Sequence, residues 1–269
     1  MFWTRLASGI VLVVVAAVTI MAGGDIWFLL VSLLSIAGLY ELYKTMHIEK
    51  TFLGYAGLIA SVFYCVLLRW DIHSSAIAAV IGGLLFISGI YVFTFPRYKA
   101  DQAAFAVFGI LYVPVLMMHL YQIRELSDGL FIIPLVFLSA WGNDTCAYCV
   151  GMLIGKHKMT PKLSPKKSVE GLVGGIVGAL LLGMGYGVLF GRHLPTLGNT
   201  VLSCGLICGA GAIIAVIGDL TASAIKRDTG IKDYGKLIPG HGGILDRFDS
   251  ILFTAPIVYY LAVYLGAIH

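Results

Sequence analysis

Leu172-Val-Gly-Gly-Ile-Val-Gly-Ala-Leu-Leu-Leu-Gly-Met-Gly-Tyr-Gly-Val-Leu-Phe190 contains no charged side chain. A helix rises ~1.5 Å per residue, so a run of about this length crosses a bilayer core. The run is continuous and apolar, without the alternation of a barrel strand, which argues for a helix. Working outward in both directions, eight more segments read the same way: Leu6–Met21, Ile26–Tyr43, Phe52–Leu68, Ser74–Phe93, Ala103–Tyr121, Leu130–Ile154, Val201–Leu220 and Ile251–Ile268. The composition agrees, with 59% hydrophobic and 12% charged residues and a mean hydropathy of +0.94. A soluble domain carries about twice that charge. The chain therefore reads as an all-α polytopic membrane protein of about nine transmembrane helices. Each span must satisfy its own backbone hydrogen bonds.

The connections alternate in charge. The N-terminus and the even-numbered connections hold Arg5; Lys44 and Lys50; Arg97 and Lys99; Lys156, Lys158, Lys162, Lys166 and Lys167; and Lys226, Arg227, Lys232, Lys236 and Arg247. The odd-numbered ones hold Arg69, Arg124 and Arg192. Basic loops stay in the cytoplasm, which places the N-terminus inside and His269 outside. Leu6–Met21 follows Arg5 like a signal peptide, but it lacks a clear small-x-small cleavage site and further spans follow at once, so it reads as an uncleaved first helix. The five cysteines lie in apolar runs. Cys146-Ala-Tyr-Cys149 has redox-motif spacing inside an expected span, so it reads as buried apolar filling, and no disulfide framework is implied. The expected division is residues 1–128 as scaffold helices and 129–269 as helices carrying the cytoplasmic catalytic loops.

Two cytoplasmic segments interrupt the apolar pattern. The first, Gly155 to Gly171, holds Leu163-Ser164-Pro165-Lys166-Lys167-Ser168-Val-Glu170-Gly171. A hydroxyl at Ser168 followed by Glu170 resembles a helix start. The second runs from Ser223 to Asp249, and its Gly and Pro suggest loop after a short helix near Leu220–Asp228. Small-xxx-small pairs at Gly151/Gly155, Gly171/Gly175, Gly174/Gly178 and Gly205/Gly209 predict tight packing of spans six to eight.

Four aspartates draw attention. Asp144 lies inside the sixth span, where a carboxylate costs ~2.5–3.5 kcal/mol unless it meets a partner or a wet cavity. Asn143 and Thr145 beside it favour a hydrated pocket over a plain structural ion pair. Asp219 ends the eighth span, where a helix dipole disfavours it without a cation; if the helix continues through Ser223 it is instead a mid-helix carboxylate, and either way a nearby cation is expected. Asp246 and Asp249 are three apart and share one side of a helical turn. They either cap the ninth helix or belong to an oxygen-rich site of the kind Mg²⁺ prefers. Gly240-His241-Gly242-Gly243 offers backbone N–H groups to a phosphate. Lys166, Lys167, Lys226 and Arg227 suit phosphates, while Lys156 and Lys158 read as anchors at anionic lipid heads. No Ser-His-Asp set, catalytic cysteine or zinc spacing is visible. Phosphoryl chemistry needs none of them, since it rests on positioning and charge neutralisation.

The pattern Ser223-x-Ile225-Lys226-Arg227-x4-Lys232-Asp233-x-Gly235-x2-Ile238-Pro239-x-His241-Gly242-Gly243-Ile244-x-Asp246-Arg247-Phe248-Asp249 resembles the signature of the CDP-diacylglycerol synthases (phosphatidate cytidylyltransferases), without a departure inside it. Asn143-Asp144 and Leu163–Gly171 are similar to that family as well. The resemblance covers roughly the C-terminal half, and the first five spans match in hydropathy alone. It implies an integral enzyme of a bacterial-type plasma (inner) membrane, with its active site facing the cytoplasm. Phosphatidate would attack the α-phosphorus of CTP, giving CDP-diacylglycerol and pyrophosphate for phospholipid biosynthesis.

The resemblance implies catalytic roles for Asp144, Asp219, Lys226, Arg227, His241, Asp246, Arg247 and Asp249. Asp219 and Asp246 would hold Mg²⁺, with Asp249 and Asp144 in a second-metal or supporting place; one or two ions and a monovalent cation are allowed. Substrate contacts would come from Asn143, Ser164, Lys166, Lys167, Ser168, Glu170, Ser223, Gly242 and Gly243. Expected partners are CTP, phosphatidate and membrane lipids, with a homodimer allowed and no nucleic acid. Two rivals remain at this stage. A transporter would use intramembrane carboxylates, but predicts an inverted repeat that is not visible. A CTP-dependent lipid-alcohol kinase would use similar parts to move the γ-phosphate.

Overall fold

The computed structural model describes residues 2–70, 73–238, 240 and 242–267. The expectations placed on His241 and His269 fall outside them. In chain order the helices are α1 (Phe2–Ala22), α2 (Gly24–Thr45), α3 (Phe52–Arg69), α4 (His73–Phe93), α5 (Ala100–Ile110), α6 (His119–Glu125), α7 (Gly129–Phe137), α8 (Asn143–Ile154), α9 (Val169–Phe190), α10 (Thr200–Asp228) and α11 (Leu245–Ala267). Leu111–Val115 and Leu138–Gly142 are π-helical and carry α5 and α7 onward. Among the described residues, eight helical stretches are long and apolar enough to cross a membrane, among them Ala100–Glu125 and Gly129–Ile154. Helix α1 adds an apolar stretch before them. The all-α membrane architecture read from the sequence is thus present.

Three features differ from the sequence reading. First, α10 does not stop near Leu220 but continues as one helix to Asp228. Thr221 to Arg227 contains no Gly or Pro to break it, and Lys226 and Arg227 close its last turn, where cations complement the helix dipole. Asp219 is therefore a mid-helix carboxylate. Second, α11 starts at Leu245 and not near Ile251, and Asp246 and Asp249 lie on it, as the helical-turn reading of that pair had them. Third, Lys158–Thr160 (β1) and Ser164–Ser168 (β2) form an antiparallel hairpin. The Pro161-containing turn and β-branched Thr160 permit it, although no alternation announced it.

The chain forms two compact units. One comprises Met1–Met118 with Asp228–Arg247. Its core gathers Val31, Leu39, Leu42, Tyr43, Ile87 and Val113, all fully buried. The Tyr43 hydroxyl donates to the Ala106 carbonyl at 2.6 Å, joining α2 to α5. Such a buried phenol needs a partner to offset its desolvation. Thr51 caps α3 by accepting from Gly54 N–H at 3.3 Å.

The other unit comprises His119–Arg227 with Phe248–His269. Here α9 turns Gly171, Gly175, Ala179, Gly183 and Gly187 inward, which lets α8 approach one side and α10 the other. This is the close packing the small-residue spacing predicted. Gly175 meets Asn143 and Ala147 of α8, while Gly183 meets Cys204 and Cys208 of α10. Asp128 accepts from the amide and hydroxyl of Thr196, at 3.0 and 2.6 Å, and fixes the loop at the far end.

Candidate active site

In the second unit, α8, the β2 strand, α9 and α10 enclose a cavity of about 400 Å³. Its polar wall is Asn143, Asp144, Lys166, Lys167, Ser168 and Asp219. Its apolar wall includes Tyr148, Met152, Met159, Leu172 and Val216. Tyr148 and Met152 are largely exposed on the outer face of α8. A space with a charged end and an apolar flank of this kind suits an amphipathic ligand.

The charges are arranged by three local features. The hairpin ends at Ser168, whose Oγ accepts from Gly171 N–H at 3.1 Å and so caps α9. That cap fixes the residue before it, and Lys167 Nζ donates to Asp219 Oδ2. Both side chains are partly exposed, at 28% and 29%. Asp144, one helix away, lies within electrostatic reach of Lys167 and of Asp219. The cation thus contacts one of two carboxylates that repel each other and is close enough to act on both.

Asp249 joins this group from α11. It lies within electrostatic reach of Asp219 and of Lys226. Gly218 explains the approach: a Cβ there would fall 2.6 Å from the Asp249 carbonyl oxygen, so only glycine lets the two helices touch beside Asp219. Asp249 Oδ1 accepts from the amide and hydroxyl of Ser250 at 2.7 and 3.1 Å.

Asn143 is 1% exposed, yet neither its carboxamide oxygen nor its nitrogen has a hydrogen-bond partner. Buried polar atoms are seldom left so. Both atoms are closed off from the surface, and Oδ1 faces Gly175 of α9, where a Cβ would fall 2.4 Å away.

Glu170 stands outside the cavity wall. It accepts from the Lys156 amide at 3.1 Å and meets His157 Nδ1 at 2.6 Å, so its observed work is to close the base of the hairpin. Ser164 pairs with Thr160 at the other end of that hairpin. Ser223 lies on α10, one helical turn beyond Asp219.

Asp246, Arg247, Gly242 and Gly243 belong to the first unit. There a polar cavity of about 600 Å³ is bounded by Lys232, Lys236, Arg247, Asp233 and the backbone of Gly240 and Gly242. Both glycines have positive φ, 78° and 91°, which a residue with a Cβ rarely adopts. Asp246 Oδ2 accepts from Tyr234 N–H at 2.9 Å and from Gly243 N–H at 3.0 Å. The aspartate therefore shapes this loop, and the Gly243 amide is engaged with it.

Among the described residues, no three or more His, Cys, Asp or Glu are gathered closely enough to cage a metal by themselves. Mg²⁺ does not require such a cage. It binds through one or two carboxylates together with water and substrate phosphates. Asp219 with Asp144 or Asp249 fits that donor chemistry.

The sequence reading passed over Glu41 of α2, which accepts from Leu245 N–H at 3.0 Å. The signal was available: a carboxylate inside an apolar span is costly and implies a partner.

Comparison with known proteins bears on the chemistry. A family model described as "Cytidylyltransferase family" matches residues 3–265. A protein of Staphylococcus epidermidis strain RP62A named phosphatidate cytidylyltransferase is 33% identical over 268 residues, covering 96% of this chain and 98% of that protein. Proteins of the same name from Staphylococcus saprophyticus and Staphylococcus aureus strain COL are each 32% identical, again over 96% of this chain and 98% of theirs.

Proposed function

This chain belongs to the cytidylyltransferase family, and from that premise we propose that it transfers the cytidylyl group of CTP to phosphatidate in a Mg²⁺-dependent reaction. One phosphate oxygen of phosphatidate forms a bond to the α-phosphorus of CTP. The bond from that phosphorus to the bridging oxygen breaks, and pyrophosphate leaves with the electron pair. The products are CDP-diacylglycerol and pyrophosphate.

The observation that carries this reading is the cavity where Lys167 meets Asp219 within electrostatic reach of Asp144, beside an apolar flank. A lipid phosphate needs cations at its head and apolar surface along its glyceryl esters. Lys166 and Lys167 supply the first, and Tyr148, Met152 and Leu172 the second. The phosphate monoester is already largely ionised near neutral pH, so no strong base is called for. Asp219 with Asp144 or Asp249 would hold Mg²⁺, which when bound would neutralise charge on the phosphates and draw the two anions together. Lys226 extends the positive field near Asp249. The alternation of basic connections supports a cytoplasmic-facing site in a bacterial inner membrane, on the side where CTP is available.

The test is CTP labelled at the α- or the γ-phosphorus, given with phosphatidate to the purified protein. Label from the α position entering lipid supports cytidylyl transfer. Label from the γ position entering lipid would make it a kinase, and transfer of neither would refute the reading.

A further inference from the structure

Glu41 sits near the end of α2 and is 7% exposed. Its Oε2 accepts from the main-chain N–H of Leu245, the first residue of α11, across 204 positions of sequence. The carboxylate is also enclosed on two further sides. A Cβ on Gly235 would fall 2.2 Å from Oε1, and one on Gly243 would fall 2.4 Å from Oε2. Both arms of the loop between Asp228 and Leu245 are thus laid against one carboxyl group. Lys44, one turn along α2, and Asp246 lie within its electrostatic reach.

A buried carboxylate is costly unless donors compensate it. Here the donors belong to the main chain at the start of a helix, where the dipole favours an anion. Asp246 ties Tyr234 and Gly243 together from inside the same loop. Glu41 fixes that loop from behind. The loop in turn carries the walls of the basic cavity at Lys232 and Lys236, and Arg247 of α11 completes them.

We propose that Glu41 is a positioning residue: it holds Gly235, Gly243 and Leu245 in the arrangement that turnover requires, through their main chain and without touching substrate. The part concerning turnover rests on the function proposed above, whereas the part concerning the loop does not.

The test combines amide hydrogen exchange and steady-state kinetics on the full-length protein in detergent. Glu41→Ala is expected to speed exchange at residues 243–245 while Gly205–Ala215 in α10 exchange at the wild-type rate. It is expected to lower kcat/KM for CTP by about 10- to 100-fold, the range for losing a charged hydrogen-bond acceptor. Glu41→Gln keeps an acceptor oxygen and should recover most of that loss. Gly235→Ala alone should be impaired, because its methyl meets the carboxylate. In the Glu41→Ala background the same methyl has room, so the two losses should not add. Unchanged exchange at 243–245 in Glu41→Ala, or additive losses in the pair, would overturn the proposal. Faster exchange with undiminished kcat/KM would overturn the claim that turnover needs this arrangement. If the wild-type protein transfers no label from CTP, the proposed reaction fails, and the exchange measurements still decide whether Glu41 holds the loop.

Discussion

Lys167 Nζ donates to Asp219 Oδ2 across 52 positions of sequence, tying the hairpin ahead of α9 to the middle of α10. The pair is only partly exposed, and Asp144 is close enough to feel both charges. Removing the ammonium would leave two neighbouring carboxylates uncompensated. Lys167→Met is therefore expected to reduce kcat/KM by about 10- to 100-fold, as for other losses of a charged hydrogen-bond partner. Lys167→Arg keeps the charge with a different shape and should fall between. Initial rates with saturating CTP and varied phosphatidate check this, and wild-type rates for Lys167→Met would remove the lysine from the site.

Metal removal should be decisive for the role of the carboxylates. Excess chelator is expected to abolish transfer, and added Mg²⁺ to restore it. Asp219→Asn weakens a hard-cation ligand set that also depends on substrate oxygens. Its half-saturating Mg²⁺ concentration should rise by about tenfold or more, the effect of losing ~1.4 kcal/mol. A variant with the wild-type Mg²⁺ curve would show that Asp219 does not serve the ion.

Ser168 gives a prediction for stability. Its Oγ caps α9 through Gly171 N–H at 3.1 Å. Ser168→Ala should cost ~1 kcal/mol of stability, as for other N-caps, while Ser168→Thr or Ser168→Asp should cost less. Thermal unfolding in detergent measures it. An unchanged midpoint in the alanine variant would mean that neighbouring packing, and not the cap, fixes this helix start.

Much of this architecture is legible in the sequence because a bilayer imposes a simple rule on it. Leu172–Phe190 and Phe52–Leu68 announce their helices by length and lack of charge, and the observed helices differ at these ends by few residues. Ser168 and Glu170 likewise mark the start of α9. The rule fails where a helix leaves the apolar layer. α10 runs on past Asp219 through polar residues that hydropathy treats as loop. The β1–β2 hairpin is too short to show a period.

Site residues were legible by type more than by partner. Asp144, Lys167 and Asp219 stood out as charges in or beside spans, but that Lys167 would meet Asp219 depends on how α9 packs against α10. Glu41 was hidden by its apolar neighbours, and its partner, Leu245, is a main-chain amide that no side-chain pattern reveals. The engagement of Gly243 with Asp246 was equally invisible, since a glycine-rich stretch reads the same whether its amides face a ligand or the protein.

The orientation proposed from the basic connections can be measured directly. Lys158 in the hairpin and Arg192 after α9 are both exposed and lie at opposite ends of one span. In a protein cleared of its native cysteines, Lys158→Cys should react with an impermeant thiol reagent only from the cytoplasmic side. Arg192→Cys should react only from the outside. Reversed labelling would place the hairpin, and the cavity it lines, away from CTP.

The most direct measurement uses two isotopes at once: phosphatidate labelled in its phosphate and CTP labelled at the α-phosphorus, given to the wild-type protein and to Asp219→Asn. The expected result is a lipid product carrying both labels in equal amounts from the wild type, with little or none from the variant. A product with only one label, or equal yields from both proteins, would contradict cytidylyl transfer at the cavity where Lys167 meets Asp219.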